Sequence, residues 1–413
     1  MPLRNPTVLE NIDMNTTKLF PTSRACLCLI LLLAGVPLPS IAHGDIAAAI
    51  RDGKSSLGLR YRYESVNQAN ALKNASAPTL RTTLGLTSGT VAGWRGLLEF
   101  ENVAVVGGQA YNSLTNGRTQ YSTVADPVGT EVNQAYLDYA GLSDTLFRWG
   151  RQRIIIDNAR FVGNVGWRQN EQTFDALTIT NDSVSQTALS YSYVTNVNTI
   201  LGTNVDMSSS LVHLAYTGFS PLSLIAYGYF LDYTNTSEDS KSLGIRATGE
   251  AAIGEPVKAV YTLEYAKQSQ YADAPATVDA DYLFGEAGVK GAAFMASIGY
   301  EVLGGDGTYG FSTPLATKHA FNGWADIFLS TPVDGLKDAM LTVGGTVTGV
   351  KLQGVYHDFT ADNGGANYGT EIDLLAVKKF AEHYTLGAKY ANYSADSYAV
   401  DTRKYWVWVQ AGF

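Results

Sequence analysis

Segments in which apolar and polar residues alternate recur along almost the whole chain, with turn-forming residues between them. Beyond residue 42 no apolar run reaches the roughly 18 residues that a helical membrane span needs. Leu57, Leu59, Tyr61 and Tyr63 fall on one face of a first segment, and Arg60, Arg62 and Glu64 on the other. Leu80, Leu84 and Leu86 oppose Arg81, Thr83 and Thr87, while Trp94, Leu98 and Phe100 oppose Arg95, Glu99 and Glu101. The same dyad sets Ala135, Leu137 and Tyr139 against Gln134, Tyr136 and Asp138, and Leu243, Ile245 and Ala247 against Ser242, Gly244 and Arg246. It recurs with Ala296, Ile298 and Tyr300 against Ser297, Gly299 and Glu301. A period of two is that of a β-strand. In a soluble sandwich the apolar face is core; in a membrane barrel it meets lipid and the polar face meets a wet interior.

Connection lengths separate these folds. Tight links at 141–144, 181–185, 218–221, 252–256, near Gly291 and at 346–349 alternate with longer ones at 107–130, 155–170, 304–336 and 360–369. Short periplasmic turns alternating with longer external loops are the asymmetry of an outer-membrane barrel, and a sandwich has no reason for it. Strands are expected to begin near residues 55, 79, 94, 131, 145, 171, 186, 208, 222, 241, 257, 278, 293, 338, 349, 370, 385 and 402. Counting Ala320–Leu329 as another would put the 360–369 segment among the short turns, so it is read as loop. The expectation is an all-β, antiparallel transmembrane barrel of about 18 strands, an even number as bacterial barrels require.

Both ends of the chain agree with this. Lys18 and Arg24 precede an apolar run from Ala25 to Ala34 and then Ser40-Ile41-Ala42, which reads as an export signal, cleaved after Ala42, ahead of a single barrel domain over residues 43–413. Glu10 and Asp13 put acid where such signals carry base, so translation from Met14 fits better. Cys26 and Cys28, the chain's two cysteines, lie inside that apolar run, so thiol or disulfide chemistry is not expected of the exported chain. At the other end, Tyr405, Val407, Val409, Ala411 and Phe413 share one face, with Trp406, Trp408 and Gln410 opposite. A final strand ending on an aromatic residue resembles the signal by which the barrel-assembly machinery recognises its clients. Residues 43–53 leave no room for a globular plug, so any constriction must come from loops. The 304–336 loop carries Tyr309, Phe311, His319, Phe321, Trp324 and Phe328 and is too apolar to stay in solvent, so it is expected to pack at the mouth or inside the barrel.

Chemistry would then reside in inward charges. Arg60, Arg62, Arg81, Arg95 and Arg148 fall on the first five strands and are expected to form a basic patch lining the solute path. Arg246, Lys351 and Lys389 add isolated positive positions, and Glu64, Glu99 and Glu101 are interleaved acids. Guanidinium suits such a path because its planar fork binds carboxylates in a bidentate way. Equally, these Arg and Glu residues could pair across the sheet as scaffold. Acids on later strands, including Glu264, Glu286, Glu301, Glu371 and Asp373, suggest a transverse field. A net charge of −9 at pH 7 argues against nucleic acid as a partner. The five histidines show no metal-ligand spacing, and His357 and Asp358 must point to opposite faces, so an enzyme is not expected and no cofactor is implied.

Several stretches resemble the alginate export family of outer-membrane proteins: Leu59 to Glu64, Leu98 to Asn102, Asn133 to Leu137, Gly150 to Ile154, Arg160 to Asn170, Phe174 to Ala176 and Tyr356 to Phe359. The resemblance implies a monomeric 18-stranded barrel in contact with lipid and lipopolysaccharide, its electropositive pore passing an anionic polysaccharide. Acidic candidates for the interior are here as numerous as basic ones, which leaves a specific porin for small polar or anionic solutes as the alternative, with an enzyme or adhesin on the same barrel in reserve. Arg151 and Arg153 share a face with Phe147 and Trp149, which reads as outward. They must therefore lie at the outer rim among lipopolysaccharide phosphates unless a bulge turns them inward; the Gly150 to Arg153 motif, followed by Arg160 and Arg168 in the next loop, favours a bulge or an infolded loop that brings Arg to the pore mouth.

Overall fold

The structure, a computed structural model, describes residues 43–413; the export segment expected over 1–42, with Met14 and both cysteines, lies outside the described residues. The strands are β1 (Lys54–Gln68), β2 (Ala75–Thr87), β3 (Trp94–Val105), β4 (Gly129–Leu142), β5 (Thr145–Gln152) and β6 (Thr173–Asn181). They continue as β7 (Thr187–Asn198), β8 (Asn204–Phe219), β9 (Leu222–Leu231), β10 (Ser240–Gly254), β11 (Val257–Ser269) and β12 (Asp279–Lys290). The last six are β13 (Phe294–Leu303), β14 (Leu336–Val347), β15 (Val350–Thr360), β16 (Asn367–Phe380), β17 (Tyr384–Ala395) and β18 (Thr402–Gly412).

Each strand pairs antiparallel with its neighbours in sequence, and β18 pairs with β1, so the 18-stranded sheet closes on itself. Closure leaves no unpaired edge, the condition for strands to cross a hydrocarbon layer. The seam runs from Gly58 opposite Gly412 to Gln68 opposite Thr402, and Leu57 and Phe413 complete it with two backbone hydrogen bonds of 2.9 Å. Phe413 stacks on His383 at its end.

Faces follow the dyads. Leu98, Leu137, Trp149, Ile245, Ile298 and Val407 are exposed on the outer face, where lipid would cover them, whereas Arg62, Glu64, Glu101, Asp138, Glu301 and Trp406 are buried inside. Tight turns at 88–93, 143–144, 182–186, 220–221, 255–256, 291–293, 348–349 and 381–383 share one end with both termini of the barrel, its periplasmic end. A helix not anticipated from the sequence, α1 (His43–Arg51), precedes β1; its Ala-rich middle favours helix, and Asp45 and Arg51 suit its two ends. It docks on the turn after β2 through the Gly89 N–H to the Ala49 carbonyl, 2.7 Å.

At the other end three loops fold inward. Residues 106–128 bury Tyr111 and Val124, 153–172 bury Phe161 and Val162, and 304–335 bury Phe311, Leu315, Trp324 and Phe328. The Ala320–Leu329 stretch stays in the loop, with a 3-10 turn at Lys318–Ala320. Apolar loop residues have no better place to leave water in a barrel whose outer face is already apolar.

Inward glycines make room for inward aromatics. A Cβ on Gly387 would come within 2.0 Å of the Trp408 ring, which lies flat against the wall there. Gly387→Val is expected to destabilise the barrel by about 1–3 kcal/mol through overpacking. Detergent-refolded protein should then lose its compact gel mobility at a lower temperature than wild type; an unchanged transition would contradict this packing.

Candidate functional site

The inward arginines of β1 and β2 do stand side by side, with Arg60 opposite Arg81. Each, however, is already engaged. Arg60 donates from Nε to the Gln169 side chain (2.9 Å) and from its Nη atoms to the carbonyls of Gly166 and Arg168. Arg62, 1% exposed, binds Asp126, the Trp167 carbonyl and Glu64. Arg81 bridges Glu101 and Glu171, the latter at 2.6 Å. Arg95 and Arg148 share Asp138 at 2.6 and 2.7 Å, and Arg148 lies 4.0 Å over the Tyr136 ring. The guanidinium groups of Arg60, Arg62 and Arg81 cluster, and acids from the wall and from the 106–128 and 153–172 loops occupy those of Arg62 and Arg81, the scaffold pairing that the sequence left open beside a solute path. A buried guanidinium without such partners would be costly, which is why the loops bring Asp126 and Glu171 inward.

A chain of contacts then crosses the interior. Arg168 donates to Glu64 on β1 (3.0 Å) and to Asp326 in the 304–335 loop (2.8 Å). Arg160 donates to Glu301 on β13 (2.7 Å) and to Asn322 (3.1 Å). Backbone bonds from Gly163 N–H to the Leu315 carbonyl and from Thr317 N–H to the Ala159 carbonyl tie the two loops directly. Farther round the wall, β13, β14 and β16 carry four buried inward acids, Glu301, Asp338, Glu371 and Asp373. The backbone N–H groups of Trp324 and Ala325 cap Asp373 and Glu371 at 3.0 and 2.6 Å, and His357 hydrogen-bonds Asp338 at 2.9 Å. Gly323 permits that cap, because it adopts a φ of +84° and a Cβ there would meet Glu371 at 2.4 Å.

Lys389 sits between the loops and the β16–β18 wall. Its Nζ is 3.7 Å from the Trp324 ring centre and 4.3 Å from that of Trp167, and donates to His319 Nε2 at 2.8 Å. Because Nε2 accepts, His319 carries its proton on Nδ1 and donates it to Asp326, 2.6 Å away. Burial holds the His319 imidazole neutral, its pKa well below the usual histidine range despite Asp326. Burial opposes ionisation of Asp326 too, but His319, Lys404 and Arg168 outweigh it and its pKa falls.

Other expected positions divide. Arg153, just past the end of β5, turns inward and pairs with Glu99 (2.6 Å) and Glu171. A bulge in β4 helps, because the adjacent Asn133 and Gln134 both reach Glu99. Arg151 is a correction: it keeps the outward parity of Trp149 and forms a two-bond pair with Asp175 on the outer rim, so it does not reach the mouth. Lys389, expected as an isolated inward charge, faces inward and is enclosed by Trp167 and Trp324. Arg160 and Arg168 are likewise inside, but buried in the loop contacts. Arg246 faces inward 3.7 Å from Glu264. Lys351 keeps inward parity at the periplasmic end and has no ion pair among the described residues. Sequence reasoning missed Asp126, Glu171, Gln169 and Asp326. Their signal was acid and amide within loops that also carry buried aromatics.

The loop contacts carry a definite pH signature. Burial opposes ionisation of Glu171, but Arg81 and Arg153 outweigh it and hold its pKa down at about 2. A depressed carboxyl stabilises the fold fully above the ordinary glutamate range near ~4.3 and loses that contribution as pH falls through the folded value. The Glu171 side-chain carboxyl resonance, followed by NMR, is expected to stay at its ionised position from neutral pH down through the ordinary glutamate range and to shift only on approach to about 2. A transition centred on the ordinary glutamate pKa would refute the Glu171 pairing.

Comparison with known proteins agrees with this architecture. The alginate export family pattern matches residues 54–302. Curated proteins offer no sequence match. Among solved structures, Acinetobacter baumannii OccAB4 superposes with a TM-score of 0.70 at 14% identity, covering 88% of this chain and 98% of that one. Pseudomonas aeruginosa OccK9 (OpdG) gives 0.70 at 13% identity, covering 89% and 99%. Pseudomonas aeruginosa OpdK with vanillate gives 0.69 at 13%, covering 88% and 99%. At such identities the likeness speaks for the fold, and the family pattern carries the rest: the chain belongs to the alginate export family and is an outer-membrane β-barrel channel.

Proposed function

We propose that this barrel is a selective channel for small polar solutes, anionic ones foremost, and not a conduit for polymer. The observation that carries this is the meeting of the 153–172 and 304–335 loops across the interior, joined by Arg168 to Asp326 and by backbone bonds. A polysaccharide with a carboxylate on each sugar would need a row of accessible guanidinium groups, and Arg60, Arg62 and Arg81 already hold protein acceptors. Membership of the alginate export family favours the polymer reading, whereas OpdK, similar in fold, was crystallised with vanillate, a small aromatic acid. A channel without enzymatic activity belongs to this reading, supported by the family pattern and the porin neighbours. Monomeric assembly belongs to the same reading.

Planar-bilayer recording tests this. The expected result is a small conductance that favours anions and is reduced by millimolar vanillate but not by uronate oligomers. Block by uronate oligomers with indifference to vanillate would establish the polymer conduit instead, and cation selectivity would sink both anionic readings.

We also propose that β18, ending at Phe413, is the segment read by the barrel-assembly machinery. Deleting Phe413 removes a stacked partner of His383 and the last seam contact with Leu57. Folded protein recovered from outer membranes should fall several-fold, measured as the heat-modifiable band, while refolding in detergent should change little. Equal membrane levels would refute this role.

A further inference from the structure

Where the two loops meet, they enclose a small polar cavity of about 30 Å³ lined by Arg160, Lys318, Ser312, Thr313, Ser330 and Thr331. Its charges do not balance. Arg160 is 3% exposed and spends its Nε and Nη2 on Glu301 and Asn322. Glu301 in turn accepts from Arg160, Asn322 and the Tyr282 hydroxyl, so its carboxylate is already committed. Lys318 is half-buried, and its ammonium makes no hydrogen bond or ion pair among the described residues. Burial above all, and the neighbouring Arg160, push its pKa below the ordinary lysine range against an opposing pull from Glu238. Thr331 gives its hydroxyl proton to the Phe311 carbonyl, but the hydroxyls of Ser312, Thr313 and Ser330 have no protein acceptor among the described residues.

A lysine ammonium held by no hydrogen-bonded acceptor, beside Arg160 and ringed by uncommitted hydroxyl donors, forms a site with room for a negative group. The volume decides its size. A cavity that holds about two waters can take a carboxylate headgroup but not a sugar ring.

We infer that this cavity binds the carboxylate of a small monocarboxylic acid, with Lys318 and Arg160 holding its oxygens. The site rests on the reading of the barrel as a channel for small anionic solutes and locates their recognition in the loops instead of on the arginine wall.

Isothermal titration calorimetry of the detergent-refolded chain with benzoate, acetate, sulfate and the neutral analogue benzyl alcohol tests the site. Benzoate and acetate should each saturate, and benzyl alcohol should give no saturable heat. Lys318→Gln should weaken benzoate by about tenfold or more, the loss expected for one charge-assisted contact, while Lys318→Arg should restore most of it. Benzoate binding unaltered in Lys318→Gln, saturation by sulfate alone, or the absence of saturation by benzoate and acetate would each overturn the inference. Single-channel conductance of the same preparations separates the two failures. An anion-selective channel without benzoate binding loses the site and keeps the channel reading; a cation-selective one loses that reading.

Discussion

The interior of this barrel depends on guanidinium–carboxylate pairing away from water. Arg62 with Asp126, Arg81 with Glu171, and Arg168 with both Glu64 and Asp326 join three loops to the wall and to one another. Charges so buried are costly to leave alone, and removing one partner exposes the cost of the other. The pairs therefore act less as a source of stability than as a rule for position. Each loop has one arrangement in which all its arginines and acids are satisfied, and the aromatic packing of Phe161, Phe311 and Trp167 fills in around it.

That rule explains how one channel can carry so many arginines and yet present few of them. Arg60, Arg62 and Arg81 cluster on β1 and β2, and Glu301, Asp338, Glu371 and Asp373 cluster on β13, β14 and β16. The loops bring partners of matching polarity to each group. Asp126 and Glu171 approach the arginine side, while Arg160, Asn322 and the N–H groups of Trp324 and Ala325 approach the acid side. Selectivity then belongs to whatever the loops leave unmatched.

Much of the fold was legible because it is local. Alternation at a period of two places Leu59 outside and Arg60 inside whatever their partners are, and turn residues mark where each strand ends. Strand count and closure followed from those signals together with the contrast between tight and long connections. Loop destinations were only half legible. The aromatic content of 304–336 required burial, but nothing periodic says that Asp326 meets Arg168 or that Trp324 caps Asp373, since those partners are far apart in sequence. Arg151 shows the limit from the other side. Parity alone put it outward, and parity was right; the expectation of a bulge near it was met instead in β4 and served Arg153. Helix α1 was hidden because nine residues give little periodicity to read.

Trp167 touches both borders of the seam. Arg62 of β1 lies 4.9 Å over its ring, and Trp406 and Trp408 of β18 meet it edge-on at 5.8 and 5.4 Å. A residue from the middle of the chain thus clasps its first and last strands from inside. This ring cannot find its full set of neighbours until the cylinder is shut, so loop docking records closure, and the finished interior fastens the join that made it.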